Sequence, residues 1–319
     1  MPEKITDKEN GYNRAFRYYV ESAKFHSFLS EHLAEKNTKT NLLKAFECSY
    51  FQVHECAYGI EKLREELLKA SEKALEFHLY LDSKLKEKNI QGYVNEGGVY
   101  AETHNPYLSI RTSITNQLKL FYYLLSSHLD LMALICLFSK GVWEITNNNA
   151  NSIIKLPRMP PMKYVITKAE ELDQHIQGNF FKNVKKQLTW FITPQNTVRV
   201  DEEITEEKLI YPLNVRHSFI HKALDIHTAY IKGMTTNEHC IFFFFTPFSS
   251  LGRYDLYRYD RELSQTLVPP GVDFKKFLFE FYESRGFKPH SFDEIHVLLE
   301  KLTNFYSFFI NELENQELK

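Results

Sequence analysis

The chain has 319 residues, enough for a large hydrophobic core in one elaborated domain or in two. Its 39 Lys and Arg side chains are balanced by 41 Asp and Glu, and the net charge of −2 excludes a whole-chain field that would attract nucleic acid. Any contact with a polyanion must therefore be local. The 26 Phe and 19 Tyr, against only 11 Gly, favour a densely packed helical protein.

Four cysteines are present, and they do not form a recognisable motif: Cys48, Cys56, Cys136 and Cys240. The absence of a Cys-x-x-Cys pair argues against a zinc ribbon or a thioredoxin-type site. The N-terminal residues lack the pattern of a secretory signal peptide. We therefore expect reduced, mostly buried thiols in a cytoplasmic protein.

The first part of the chain has the periodicity of long helices. Apolar residues recur every three or four positions over about 12–36 and again over 42–88. The second stretch has few helix breakers and nearly heptad spacing. These features favour antiparallel packing in a bundle or a seam between two subunits.

A loop is expected at 92–106, because two adjacent glycines and an Asn-Pro pair interrupt the pattern. An apolar stretch follows at 118–138. It contains His128, Asp130 and serines, so we expect a buried bundle helix and no membrane span. Asp130 is either a carboxylate satisfied within the core or a partner for a later arginine, and the first interpretation is favoured.

Residues 167–191 predict another helix. Lys182, Lys185 and Lys186 give it a small basic patch, which is a candidate contact for a nucleic-acid backbone. A solvated helix face is the more common outcome for such a patch. Both interpretations stay open from the sequence.

Residues 211–234 are the most informative stretch. Mixed three- and four-residue apolar spacing predicts one helix, with Pro212 at its first position and Gly233 at its end. Early in this helix lie Arg216, His217 and His221. The start of a helix favours anions, arginine matches phosphate geometry, and histidine titrates near neutral pH.

Three interpretations of this cluster compete. In the first, Arg216 holds a phosphodiester while His221 moves a proton. In the second, His217, His221 and Asp225 are spaced four apart on one helix face and bind a metal ion. In the third, the side chains only pack or cap. Arg216 and His221 lie about 140° apart around a helix, so they converge only if the arginine wraps around or a second chain contributes.

The segment Arg216-His-Ser-Phe-Ile-His221 resembles the R-x4-H signature of the HEPN superfamily, which comprises all-α domains of prokaryotic toxins, CRISPR effectors and antiviral proteins. His217 departs from the asparagine that is frequent after the arginine. The resemblance implies a metal-independent endoribonuclease that cleaves single-stranded RNA, with Arg216, His221 and His217 as catalytic residues and no cofactor. It also implies a homodimer and a toxin or antiviral defence role, with an antitoxin as a potential partner. A catalytically silent dimerisation or binding module is the alternative.

After Gly233, a continuous apolar run and a segment of alternating cations and tyrosines predict a small β-hairpin near 240–260. Arg253 and Arg258 in this hairpin are candidate contacts for single-stranded nucleic acid. Two helices should end the chain. One covers about 274–284, and the other opens with the capping box Ser291-x-x-Glu294.

The overall prediction is an all-α bundle in a single elaborated domain, 1–319. A HEPN-like core would cover about 42–235, and the hairpin and C-terminal helices would cover 236–319.

Overall fold

The computed structural model describes residues 6–33, 40–86, 90–142, 161–192, 211–221, 224–232, 239–247, 256, 259, 262–263 and 271–317. The helices are α1 (Thr6–Leu33), α2 (Thr40–Lys86), α3 (Ile90–Ser139), α4 (Met162–Thr167), α5 (Ala169–Ile176), α6 (Phe180–Gln187), α7 (Pro212–His221), α8 (Phe274–Glu283) and α9 (Asp293–Glu317). The strands are β1 (Leu224–Lys232), β2 (His239–Pro247) and β3 (His290–Ser291).

The described chain is mostly helical, as the sequence predicted, with one small antiparallel sheet. The helix α2 begins and ends within two residues of its predicted limits. The helix α1 ends three residues before its predicted end and begins at Thr6, six residues before its predicted start. Contacts between residues divide the chain into two compact units. One unit comprises Met1–Ala57, Leu120–Lys222 and Ile295–Lys319, and the other comprises Tyr58–Lys119 and Ala223–Glu294.

Aromatic side chains from α1, α2 and α9 fill the core of the first unit. Phe25 stacks on Tyr306 with ring centroids 4.5 Å apart, and Phe46 meets Phe25 edge-on at 5.5 Å. Such pairs stabilise a core beyond their area burial by about 0.5–1.5 kcal/mol. The high aromatic content therefore serves to build a densely packed helical unit.

Two histidines, His54 and His128, are buried within this core. The Ser49 hydroxyl donates to the Phe46 carbonyl, so it accepts from His128 Nδ1–H, at 2.5 Å. A neutral imidazole has one donor and one acceptor. Nε2 of His128 is therefore the acceptor, and it receives the hydroxyl of Tyr306.

The second unit contains the three-stranded sheet, in the order β1-β2-β3. Ala229 of β1 pairs with Phe242 of β2. One face of this pair of strands packs on Leu278 and Tyr282 of α8, which are fully buried. Asp273 caps α8 by accepting from Lys276 N–H at 3.0 Å. Soon after α8, Gly286 has φ of 80°, which is consistent with the predicted end of this helix.

The prediction that a single helix covers 211–234 is wrong. The helix ends at His221, and β1 begins three residues later, at Leu224. Every residue of 224–229 is buried, so both faces of the strand are covered. Polar Asp225 and His227 are buried along with the apolar residues, so this short segment has no solvent-facing side and its apolar residues can also be fitted by helical spacing.

The predicted hairpin near 240–260 requires a correction in its pairing. β2 occupies the predicted apolar run, but along its whole length it pairs with the upstream strand β1. Residues 253–260, including Arg253 and Arg258, lie outside the described part of the chain except for Leu256 and Tyr259.

Two other predictions of secondary structure, one of a loop and one of a helix, require correction. The loop expected at 92–106 is part of α3, although a helical glycine costs about 1 kcal/mol and a proline about 3. Conversely, the helix expected at 167–191 is divided into α5 and α6. The division lies at Gln177, with φ of 51°, and at Gly178.

Within α3, Ser109–Ser139 is long and apolar enough to span a membrane by length and composition. Its most apolar window is 67% buried inside the protein, and the core helix of a soluble protein passes the same test. This single segment is weak evidence for a membrane span.

The capping box predicted before the last helix adopts a different arrangement. Ser291 belongs to β3, and its hydroxyl accepts from Asp293 N–H at 3.3 Å. The Glu294 carboxylate, which would reach the backbone of Ser291 in a capping box, instead contacts His290 Nδ1 at 3.0 Å.

Candidate functional site

The motif helix α7 is short and is anchored on one side. Pro212 is buried at its first position, and Val215 N–H donates to the carbonyl of Tyr211 at 3.1 Å. Asn214, Val215 and Ser218 are buried and hold one face of the helix in the first unit. The other face is partly open.

Arg216 projects from α7 into an ion pair with Asp130 of α3. Nη1 lies 3.0 Å from Oδ2, and each side chain is 27% exposed. The guanidinium also lies 5.6 Å from the ring centre of Tyr123, which is two turns before Asp130 on α3. The arginine is therefore held in one place and still faces solvent in part.

Asp130 has a second role, because Oδ1 accepts the backbone N–H of Met162 at 3.0 Å. This bond satisfies one of the free N–H groups at the start of α4, which has no side-chain cap of its own. The carboxylate thus joins α3, α4 and α7. The favoured interpretation placed Asp130 as a carboxylate satisfied within the core. The structure supports the arginine-partner interpretation, because the Asp130 side chain is 27% exposed and pairs with Arg216.

The structure describes the side chain of only one of the two motif histidines, His217. His217 is half-buried on α7, next to Arg216. His221 is the last residue of the helix, and its side chain lies outside the described part of the structure. The five-residue separation on this helix still implies a rotation of about 140° between Arg216 and His221.

The helical metal face proposed for His217, His221 and Asp225 does not exist, because Asp225 lies on β1. Its carboxylate is 2% exposed, forms an ion pair with Lys119 and accepts Ile226 N–H at 2.8 Å. Among the residues that the structure describes, no three His, Cys, Asp or Glu side chains are grouped to hold a metal ion.

The sequence analysis missed a buried polar row in the second unit. Arg111, Thr115 and Lys119 follow one another at four-residue intervals on α3, and so occupy one helix face. Arg111 Nη2 donates to the ring of His227, 2.6 Å from Nε2, and Lys119 pairs with Asp225. Arg111, His227 and Asp225 are 2–8% exposed and Lys119 is 33% exposed, so this row holds β1 in place and leaves the lysine partly open to solvent.

The predicted basic patch lies on α6, at a groove of about 580 Å³ in the first unit. We call this the lysine groove. Its lining residues come from α4, α5, α6 and the segments that flank α6: Ile166, Glu170, Asn179, Lys182, Asn183, Lys185, Lys186, Thr189 and Ile192. All three predicted lysines are therefore brought together on one concave surface.

The three lysines differ in their contacts. Lys185 Nζ lies 3.2 Å from the Glu170 carboxylate. Lys182 and Lys186 are exposed, and the described residues supply no ion-pair partner for either. Sequence spacing alone could not distinguish these states, because Glu170 lies 15 residues away on another helix.

Comparison with protein-family models, with curated proteins and with solved structures found no match for this chain. The resemblance to HEPN proteins therefore rests on the six residues from Arg216 to His221 and on the helical surroundings of α7.

Proposed function

We propose that this chain is a metal-independent endoribonuclease of the HEPN type that cleaves single-stranded RNA. The observation that carries the proposal is the held but accessible Arg216 on α7, five residues before His221. A guanidinium has five N–H donors. Its bond from Nη1 to Asp130 fixes its direction and leaves donors for a phosphate.

The chemistry follows from these groups. His221, as the general base, takes the proton of a ribose 2′-hydroxyl, and the oxygen attacks the adjacent phosphorus. The bond from phosphorus to the 5′-oxygen breaks, and that oxygen leaves with a proton from a general acid. The products are a 2′,3′-cyclic phosphate and a 5′-hydroxyl. Arg216 stabilises the charge that develops on the phosphoryl oxygens, and His217 positions RNA or shares the proton transfer.

The helical separation of Arg216 and His221 supports a composite site. A homodimer with the two α7 helices near its two-fold axis would bring an arginine and a histidine from different chains together. The proposal also includes a toxin or defence role and an antitoxin partner, which are supported only by the resemblance to the HEPN family.

The proposal is tested by cleavage of a mixed single-stranded RNA pool with a chelator present. Wild-type protein should leave 2′,3′-cyclic ends. His221→Ala should lose about 10²–10⁴-fold in rate, the usual effect of removing a general acid or base. His175→Ala, a half-buried histidine at the end of α5, is the matched control and should cleave normally.

A second candidate function is a silent dimerisation or binding module. It is favoured by the engagement of Arg216 with both Asp130 and Tyr123, which is also what a structural arginine would show. Equal cleavage by wild type and His221→Ala, or no cleavage by either, would favour this candidate.

A further inference from the structure

The lining of the lysine groove carries more positive than negative charge. Its lining residues include three lysines and one glutamate, and so carry a net charge of +2. The Glu170 carboxylate is engaged with Lys185. The two remaining ammonium groups, on Lys182 and Lys186, are therefore available to a ligand.

The two available lysines are arranged at a fixed spacing. They are four residues apart on α6, so they lie on one face with about 5–6 Å between their Cβ atoms. This spacing is comparable to that of successive phosphates in a single strand of nucleic acid. Two phosphates of one strand can therefore be bound together.

The helix that carries these lysines is firmly held. The carboxylate of Asp173, which is 2% exposed, accepts the N–H groups of Phe181 at 2.8 Å and Lys182 at 2.9 Å. Asn183 Nδ2 donates to Glu312 of α9 at 3.2 Å. The groove is thus formed before a ligand arrives, which lowers the entropic cost of binding.

One lining residue of the groove is close in the chain to a contact with the motif helix. Ile192 lines the groove, and the preceding carbonyl, of Phe191, accepts Leu213 N–H of α7 at 3.5 Å. Arg216 lies three residues after Leu213, which is a rise of about 4.5 Å along the helix. A strand that follows the groove past Ile192 therefore reaches the first turn of α7.

The chemistry of the lining indicates which part of a strand it contacts. Ammonium and amide donors are combined with the apolar side chains of Ile166 and Ile192, and none of the lining residues is aromatic. Base stacking, the usual source of contact with bases of single strands, is therefore missing from this surface. Phosphate and sugar contacts remain, and they are independent of sequence.

We propose that the lysine groove binds the sugar–phosphate backbone of single-stranded RNA through Lys182 and Lys186 and directs the strand to Arg216. This inference rests on the proposed ribonuclease function, because it assigns the substrate contact outside the reacting atoms. Binding should be insensitive to RNA sequence and strongly sensitive to salt.

The test measures fluorescence anisotropy of a labelled single-stranded RNA, about 20 nucleotides long, with the full-length His221→Ala protein, so that the RNA stays intact. Lys182→Ala/Lys186→Ala is added to this background. Each lost phosphate contact should lower the slope of log affinity against log salt by about 0.7, and two contacts correspond to about 25-fold in affinity at about 0.1 M salt. Both side chains are exposed, so thermal stability should change little.

The matched control is Lys44→Ala/Lys62→Ala in the same background, which removes two exposed lysines of α2 that are outside the groove. This control should bind RNA like its parent. An equal loss of RNA affinity in both double variants would overturn the inference, because it would indicate that the total charge of the protein, and not the groove, determines binding. Undiminished binding by the groove variant, or no RNA binding by the parent, would also overturn it.

Two additional measurements, competition by an acidic peptide and RNA cleavage by wild-type protein, distinguish a failure of the groove assignment from a failure of the ribonuclease proposal. If a polyglutamate peptide of equal charge displaces the RNA as well as unlabelled RNA does, the groove is a site for acidic protein segments and the inference fails. If the groove variant loses RNA binding but wild-type protein cleaves no RNA, the groove assignment stands and the ribonuclease proposal fails. If wild-type protein cleaves RNA but the groove variant binds RNA undiminished, the ribonuclease proposal stands and the groove assignment fails.

Discussion

At the scale of single residues, Arg216 is held by an ion pair with Asp130 and keeps part of its guanidinium exposed. The ion pair with Asp130 is partly exposed on both sides, and such pairs contribute only about 0–1 kcal/mol to folding. The pair therefore orients the guanidinium far more than it stabilises the fold. A defect caused by changing Arg216 should accordingly be a defect of activity.

We expect Arg216→Lys to be nearly as inactive in RNA cleavage as Arg216→Ala. Lysine keeps the positive charge but cannot hold a carboxylate and a phosphate with one planar fork. The measurement is single-turnover cleavage with chelator, alongside urea unfolding. The free energy of unfolding should change by no more than about 1 kcal/mol. Full activity of the lysine variant would show that only charge matters at this position.

The buried histidines determine a pH response of stability. Burial lowers the pKa of His54 to about 4, and burial together with the nearby His54 lowers the pKa of His128 to about 3. In the unfolded chain both pKa values are about 6.5. The unfolded state therefore binds more protons between these limits. This contribution to stability is complete above about pH 6.5 and is lost as the pH falls towards about 4 and then about 3.

We therefore predict that the free energy of unfolding decreases on acidification below about pH 6.5, by up to about 1.4 kcal/mol per pH unit for each histidine. His54→Gln should reduce this slope, because glutamine can still meet the hydroxyl of Ser22, which now contacts His54 Nε2 at 2.8 Å, without titrating. Urea unfolding at about pH 7 and about pH 5 gives the slopes of both proteins. Identical slopes would contradict the prediction.

At the scale of elements, Asp130 connects three helices with one carboxylate. It accepts from Arg216 of α7 and from the first N–H of α4 while it stands on α3. We infer that it is a positioning residue, which acts on RNA only through Arg216. Alternatively, Asp130 competes with the RNA phosphate for Arg216. Removing its charge would then lower KM and would not lower kcat.

For Asp130→Asn we expect kcat for RNA cleavage to fall by about 10–100-fold, because a small misplacement of a charge-stabilising group has effects of this size. KM should change much less. A lower KM with an unchanged or higher kcat would show that the carboxylate competes with the substrate. Asp273→Asn, which alters the cap of α8 without touching Arg216, is the control and should leave both constants unchanged.

At the scale of the whole molecule, the central prediction is assembly. The α7 helices of two chains should meet near a two-fold axis, because two positions five residues apart on one helix are rotated by about 140°. Light scattering should give twice the chain mass of 37.8 kDa across micromolar concentrations. A monomer with full cleavage activity would contradict this assembly.

The composite site has a sharper test. Arg216→Ala and His221→Ala are each expected to be inactive, but a mixed dimer would contain one site with both wild-type side chains. Unfolding and refolding a one-to-one mixture should restore about a quarter of wild-type activity, since half of the dimers are mixed and each has one of two sites intact. No recovery would place both side chains of a site on the same chain.

Much of the helical content could be predicted from the sequence, because it depends on local periodicity. The existence of α1 and the limits of α2 follow from apolar spacing, and the end of α8 follows from Gly286. The prediction failed where burial is complete on all sides. Leu224–Lys232 pairs with β2, and its polar residues Asp225 and His227 are buried against Lys119 and Arg111, partners that no local pattern reveals.

For the candidate site, the sequence by itself determined which residue types are available: an arginine and two histidines within six positions, and three lysines within five. The tertiary structure alone decided their partners. Asp130 lies 86 residues from Arg216, and Glu170 lies on a different helix from Lys185. The tertiary structure also excludes Asp225 from the proposed helical metal face, because Asp225 lies on β1 beside Lys119. The physical reason is that ion pairs and grooves form between elements distant in sequence, whereas spacing along one chain describes only what a single helix or strand can present.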